Sequence, residues 1–113
     1  MILYGIKTCD TVRKALKWLK ANNHLVEFHD FREQGLQQET LELWVKQCGW
    51  EQVFNKRSTS FRALEPHEKE ALDENKAIKL MLQHPTLVKR PVLVNQDQIF
   101  IGFKDASYSE WLK

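Results

Sequence analysis

Residues 2–21 read ILYGIKTCDTVRKALKWLKA, and the change of period inside this stretch decides the fold. Ile2 to Ile6 form a short apolar run of the kind that makes a buried strand. From Asp10 onward Val12, Ala15, Leu16 and Leu19 recur at i, i+3, i+4 and i+7, while Arg13, Lys17 and Lys20 share the opposite face. That spacing predicts an amphipathic helix over 10–21. Asn22-Asn23 ends it, and residues 25–31 supply a second strand with Val26 and Phe28 pointing one way. Strand, helix and strand in immediate succession predict a right-handed βαβ unit with parallel strands.

Outward from that unit, residues 39–48 return to the helical period, with Leu41, Trp44, Val45 and Cys48 on one stripe and Gly49 placed to stop it. Residues 50–66 are irregular and polar and carry Lys56, Arg57 and Arg62. A longer helix is predicted over 66–84, its inner part marked by Ala77, Ile78, Met81 and Leu82. Asp73 and Glu74 are able to cap a restart within it, and Pro85 forces its end. Residues 91–95 and 98–103 read as an antiparallel hairpin turning at Gln96-Asp97, and 106–112 as a short closing helix. The order is βαβ, helical insertion, ββα, an α/β arrangement on a mixed four-stranded sheet.

At 113 residues, 42% hydrophobic and 28% charged, the chain has the size of one domain, taken as 1–113. No window approaches the roughly 18 consecutive apolar residues of a membrane span. The short N-terminal apolar run has no basic region ahead of it, so it reads as a strand and not as a signal peptide. Seventeen basic against fifteen acidic residues leave a net charge of +2, too little to argue for a nucleic-acid partner. Two cysteines in such a chain predict reduced thiols in the cytoplasm. His24, His29, His67 and His84 stand at no metal-ligand spacing, so no metal is expected, and the scattered glycines form no phosphate loop.

Cys9 is the residue that calls for chemistry. It falls in the turn between the first strand and the first helix, where free backbone N–H groups and the positive end of the helix dipole favour an anion. A thiol there is biased toward its thiolate, the nucleophilic form. A half-buried cysteine acting as a small hydrophobe is the competing reading, and the strand-to-helix position favours the reactive thiol. Lys7 and Arg13 stand close enough in sequence to add positive potential. Thr8 and Thr11 read equally as anion-binding hydroxyls or as N-caps. Cys48 lies on an apolar stripe and reads as core packing, the lesser alternative being a resolving thiol for Cys9, which needs the two Cα atoms within about 7 Å; Val12 stands where the second cysteine of a Cys-x-x-Cys pair would be. Arg90-Pro91 opens the third strand, a place where proline is tolerated and where a cis bond is possible.

These residues resemble a known family. TCDTVRKA at 8–15 is similar to the Cys-x-Thr-x-Arg opening of the glutaredoxin-coupled arsenate reductases, and MLQHPTLVKRPVLV at 81–94 to the family's C-terminal signature. NKRSTSFR at 55–62 and the Gly102-Phe103 step are most similar to its YffB-type branch of glutathione-dependent thiol reductases. The resemblance implies a thioredoxin-like fold with a helical insertion and a cis bond before Pro91. It implies that Cys9 is catalytic, with Lys7, Thr11, Arg57, Arg90 and Pro91 binding glutathione or substrate. No bound cofactor is implied, only glutathione as cosubstrate, with a thiol, disulfide or oxyanion substrate.

Two other branches define the alternatives. Arsenate reductases hold the oxyanion with three arginines and draw electrons through glutathione and glutaredoxin. Only Arg90 matches one of those arginines here, with Phe103 or Lys104 near a second position and residues 55–57 near the third. Losing bidentate guanidinium contacts weakens a tetrahedral-anion site. Spx-type regulators bind RNA polymerase and sense oxidation through a Cys-x-x-Cys pair, which Val12 removes. The expectation is thus a monomeric, cytoplasmic, monothiol oxidoreductase.

Overall fold

A computed structural model describes residues 1–112 of the chain. Two compact units emerge, Met1–Gln34 with Arg90 onward, and Gly35–Lys89. The first carries the whole sheet. Its strands are β1 (Ile2–Gly5), β2 (Glu27–Asp30), β3 (Val92–Asn95) and β4 (Gln98–Ile101), in the order β2-β1-β3-β4. β1 pairs parallel with β2 and antiparallel with β3, and β3 pairs antiparallel with β4. The sheet is therefore mixed, and the fold is the thioredoxin-like α/β arrangement that the sequence implies.

Register explains the core. Phe28, Leu3, Leu93 and Phe100 stand opposite one another in a row across all four strands. Leu3 and Leu93 are buried with Val12, Ala15 and Leu19 of helix α1 (Asp10–Ala21) and Tyr108 of the last helix, Asp105–Trp111. Of the apolar stripe of α1 read from its period, Val12, Ala15 and Leu19 are buried and Leu16 is half-buried. Tyr108 meets Trp18 and Phe103 edge to face, at 5.5 and 4.7 Å between ring centres.

β2 is shorter than its hydrophobic pattern suggested. Phe31 is buried, but it opens a helical turn, α2 (Phe31–Gln34). Asp30 ends the strand because its carboxylate caps that turn, accepting the N–H groups of Arg32 at 2.7 Å and Glu33 at 3.3 Å.

The second unit is mainly helical, with one isolated antiparallel bridge between Phe54 and Val88. It contains α3 (Gln38–Cys48), α4 (Trp50–Val53), α5 (Thr59–Arg62), α6 (Pro66–Lys69) and α7 (Glu74–Gln83), and the last helix of the chain is α8. The stretch expected to be irregular thus holds two single-turn helices. The long helix expected over 66–84 is two helices, because Ala71 adopts φ +48° and the chain breaks there. Asp73 then restarts it, accepting the N–H of Lys76 at 2.8 Å. The Lys76 ammonium donates to the His67 carbonyl at 2.9 Å and also to that of Glu70, two acceptors that the break leaves over.

Candidate active site around Cys9

The turn that carries Cys9 is made by a close approach of strand and helix. A Cβ on Gly5 would lie 2.6 Å from Cγ2 of Val12, so only glycine lets the end of β1 meet the first turn of α1. Ile6 is buried just beyond, and its carbonyl accepts the N–H of Cys9 at 3.0 Å. Cys9 is the N-cap residue of α1, with φ −80° and ψ 124°, and its carbonyl accepts the N–H of Arg13 at 3.0 Å. The N-cap position, one of the two readings of Thr8 and Thr11, is therefore taken by the cysteine itself, whose side chain makes no capping hydrogen bond. Thr11 lies exposed in the first turn.

This placement does two things for the sulfur. It sets the thiol against the buried cluster of Leu3, Val12 and Leu93 while leaving the residue partly exposed. It also places the residue at the N-terminus of α1, the positive end of the helix dipole, where helix geometry leaves the first-turn N–H groups without intrahelical acceptors. The two nearby cations are not free to add to that potential. Lys7 Nζ lies 2.5 Å from Glu33 Oε1, and the hydrogen bond to Glu33 holds the ammonium above its ordinary pKa. Arg13 donates to the Thr8 carbonyl at 3.0 Å and pairs with Asp10 at 3.1 Å, bracing the turn around Cys9.

Asp30 is the site residue that the sequence did not disclose. It is 3% exposed, and its Oδ2 accepts the backbone N–H of Lys7 at 3.0 Å. Burial pushes its carboxyl up, but the N–H groups of Lys7, Arg32 and Glu33 outweigh burial and hold it below the ordinary carboxylate value. Its own N–H donates to Gln34 Oε1 at 3.1 Å. The run Asp30-Phe31-Arg32-Glu33-Gln34 carries a capping signal, an aspartate followed three and four residues later by side-chain acceptors. What no local pattern announces is the second bond, to Lys7 across the sheet.

Arg90 and Pro91 come to the same end of the sheet. The β1–β3 register closes with Tyr4 opposite Val92, so Pro91 precedes the sheet where Gly5 leaves it. The Arg90–Pro91 bond is cis, as the resemblance implies. Pro91 is buried and its carbonyl accepts the N–H of Gly102 at 2.8 Å, while Arg90 is half-buried with its Nε enclosed. Phe103, one of the two residues near the second arginine position of the arsenate reductases, packs its ring on Tyr108.

Arg57 belongs to the second unit, in a turn just ahead of α5 where its N–H donates to Asn55 Oδ1 at 3.0 Å. Cys48, also there, is a free thiol that burial pushes to a higher pKa, away from the nucleophilic form. Among the described residues no three His, Cys, Asp or Glu side chains converge as a metal site, and no helix is long and apolar enough to cross a membrane.

The structure is similar to that of a protein named YffB (PA3664), with 43% identity, 99% of this chain and 98% of that one covered, and a TM-score of 0.96. An arsenate reductase (ArsC) related protein from Brucella melitensis shares 41% identity over 99% of this chain and 93% of its own, at a TM-score of 0.79. The regulatory protein MgsR of Bacillus subtilis is 31% identical over 109 residues, 91% of this chain and 82% of that protein. The model of the ArsC family matches residues 4–111, from within β1 to the end of α8, and so takes in both the Cys9 turn and the Arg90–Pro91 step. The chain belongs to the ArsC family.

Proposed function

We propose that this protein is a cytoplasmic, monothiol, glutathione-dependent thiol/disulfide oxidoreductase working through Cys9. Membership of the ArsC family and similarity to an arsenate-reductase-related structure support a thiol oxidoreductase in general terms. The observation that carries the finer reading is the place of Cys9, a partly exposed thiol at the N-cap of a 12-residue helix, at the sheet end where Arg90 and Pro91 also lie.

In the proposed cycle the Cys9 thiolate attacks one sulfur of a glutathione-containing disulfide. A Cys9–glutathione disulfide forms, and the other sulfur leaves as a thiolate. A glutathione thiolate then attacks the glutathione sulfur of that adduct, releasing oxidised glutathione and restoring the Cys9 thiolate. Arg90 and Arg57 contact anionic groups of the substrate, the backbone before Pro91 pairs with the tripeptide as an added strand, and Lys7 and Thr11 are lesser contacts to glutathione or substrate. The protein acts as a monomer with glutathione as cosubstrate and no bound cofactor.

Intact mass measurement after incubating the reduced protein with oxidised glutathione tests this. One glutathione adduct is expected, retained in Cys9→Ser/wild-type comparisons only where Cys9 is present and unaffected by Cys48→Ser. A protein whose Cys9 takes up no glutathione between pH 6 and 9 is not this enzyme. The similarity to the regulatory protein MgsR favours a second reading, a regulator without turnover, for which the resemblance to Spx-type regulators implies RNA polymerase as the partner. Stoichiometric recovery of polymerase subunits with the Cys9→Ser protein supports that reading instead. Arsenate reduction with glutaredoxin as electron source is disfavoured because only Arg90 matches one of the three arginines that hold the oxyanion in the arsenate reductases.

A further inference from the structure

Within the helical unit, residues 53–55 and 87–89 run side by side. Phe54 and Val88 form an antiparallel bridge, the N–H of Asn55 donates to the Leu87 carbonyl at 2.7 Å, and the N–H of Lys89 to the Val53 carbonyl at 2.8 Å. The turn that follows is tied from both ends. Asn55 Oδ1 accepts the N–H of Arg57, and the Asn55 carbonyl accepts the N–H of Ser58 at 3.4 Å and its hydroxyl at 2.9 Å. Lys56, Arg57 and Lys89 thus project from backbone that hydrogen bonds hold in place.

All three line one cavity of about 490 Å³, together with Asn55, Phe54 and Glu51. The cavity wall carries three cations and one carboxylate. The ion pairs Lys7–Glu33 and Arg13–Asp10 include none of them. Lys56 Nζ has the face of Trp50 as its neighbour, 5.6 Å from the ring centre. Like charges gathered around one concavity repel, and an anion seated between them relieves the repulsion. Phe54, 2% exposed, gives the site an apolar floor, and the amide NH2 of Asn55, whose oxygen is occupied by Arg57, is a neutral donor at its wall.

We infer that this cavity is an anion site taking a carboxylate- or phosphate-bearing small molecule, with Arg57 and Lys89 as its principal contacts and Lys56 and Asn55 as secondary ones. Arg57 supplies a planar fork suited to a two-oxygen anion, and Lys89 a point charge. The assignment of a glutathione carboxylate to this site rests on the proposed function. The anion site itself requires no thiol chemistry.

Amide NMR titrations of the full-length Cys9→Ser protein test the inference, with S-methylglutathione and inorganic phosphate as separate probes. S-methylglutathione is expected to shift the amides of residues 55–58 and 89 and to bind more weakly at high salt. Arg57→Gln and Lys89→Gln are each expected to weaken it about fivefold, with unchanged circular dichroism. Unchanged affinity in both variants, or shifts lying wholly outside these residues, overturns the site and leaves Cys9 glutathionylation untouched. Pocket shifts in a protein whose wild-type Cys9 takes up no glutathione keep the site and remove the proposed enzyme. Tighter binding of phosphate than of S-methylglutathione at the same amides assigns the site to a phosphate and overturns its assignment to glutathione.

Discussion

The buried carboxylate of Asp30 accepts the backbone N–H of Lys7 at 3.0 Å and so ties the start of the Cys9 turn to the end of β2. The same group caps α2 through Arg32 and Glu33. Asp30→Asn keeps the shape but puts an NH2 where one oxygen accepted, and is expected to cost about 1–3 kcal/mol. The carboxyl is held below its ordinary value in the fold. Its contribution is therefore present above the unfolded value of about 3.9 and is lost as pH falls through the lower folded value. Urea unfolding at pH 7 and across the acid range checks both statements. Equal stability of Asp30→Asn and the parent at pH 7 refutes the assignment.

Lys7 and Glu33 give a prediction about rate rather than stability. Their side chains are 65% and 58% exposed, so the pair adds little to the fold, but it cancels a cation two residues from the thiol. Glu33→Gln frees that cation. The rate of Cys9 with oxidised glutathione, which is anionic, is then expected to rise about two- to threefold at low salt, and the rate with a neutral aromatic disulfide to stay level. Stopped-flow rates at low and high salt separate the two. A parallel rise for both reagents points to a loosened turn instead.

How far the sequence revealed this arrangement depends on the range of the interaction. α1 was fully legible because its stripe of Val12, Ala15 and Leu19 is a local periodicity, and Cys9 followed from where that periodicity begins. Phe31 misled because a buried aromatic extends a strand pattern as readily as it opens a helix, and the deciding cap of Asp30 involves hydrogen bonds. The break at Ala71 had no glycine or proline to mark it; Lys76 stabilises it from beyond, through carbonyls that no pattern identifies. Asp30 as a brace for the Cys9 turn was invisible for the same reason, since its partner Lys7 lies 23 residues away. The pairing of residues 53–55 with 87–89 likewise brings Lys89 beside Arg57 only in the folded chain.

Tyr108 is wholly buried, and its hydroxyl has no hydrogen-bond partner among the described residues. Burial pushes the phenol far above its ordinary value. Tyr108→Phe keeps the edge-to-face packing on Trp18 and Phe103 and removes the buried polar group, so it is expected to be neutral or stabilising by about 1 kcal/mol. Tyr108→Ala removes the ring and is expected to cost about 3–5 kcal/mol. Sign follows from linkage. The folded phenol keeps its proton where the unfolded chain loses it, so this contribution is full below pH ~10 and declines above it. Tyr108→Phe is expected to abolish that alkaline decline. A Phe variant less stable than the parent by more than about 1 kcal/mol would show that the hydroxyl is satisfied.

The approach of Gly5 to Val12 gives the most direct test of how the thiol is positioned. An alanine Cβ at position 5 would lie 2.6 Å from Cγ2 of Val12 and 3.2 Å from Cγ1. A rotamer change offers little escape, because both methyls are close and a valine in a helix strongly prefers one χ1 well. Gly5→Ala must therefore push the first turn of α1 off the strand, at an expected cost of about 1–3 kcal/mol. That turn carries Cys9 at its cap, so the rate of Cys9 alkylation is expected to change with it. Val12→Ala removes the obstructing methyls and opens its own cavity. The double variant should then lie close to Val12→Ala alone, and the cycle should show a favourable coupling of about 1 kcal/mol or more. Strict additivity of the two substitutions, with the alkylation rate unmoved in Gly5→Ala, would mean that strand and helix can part without disturbing the cysteine.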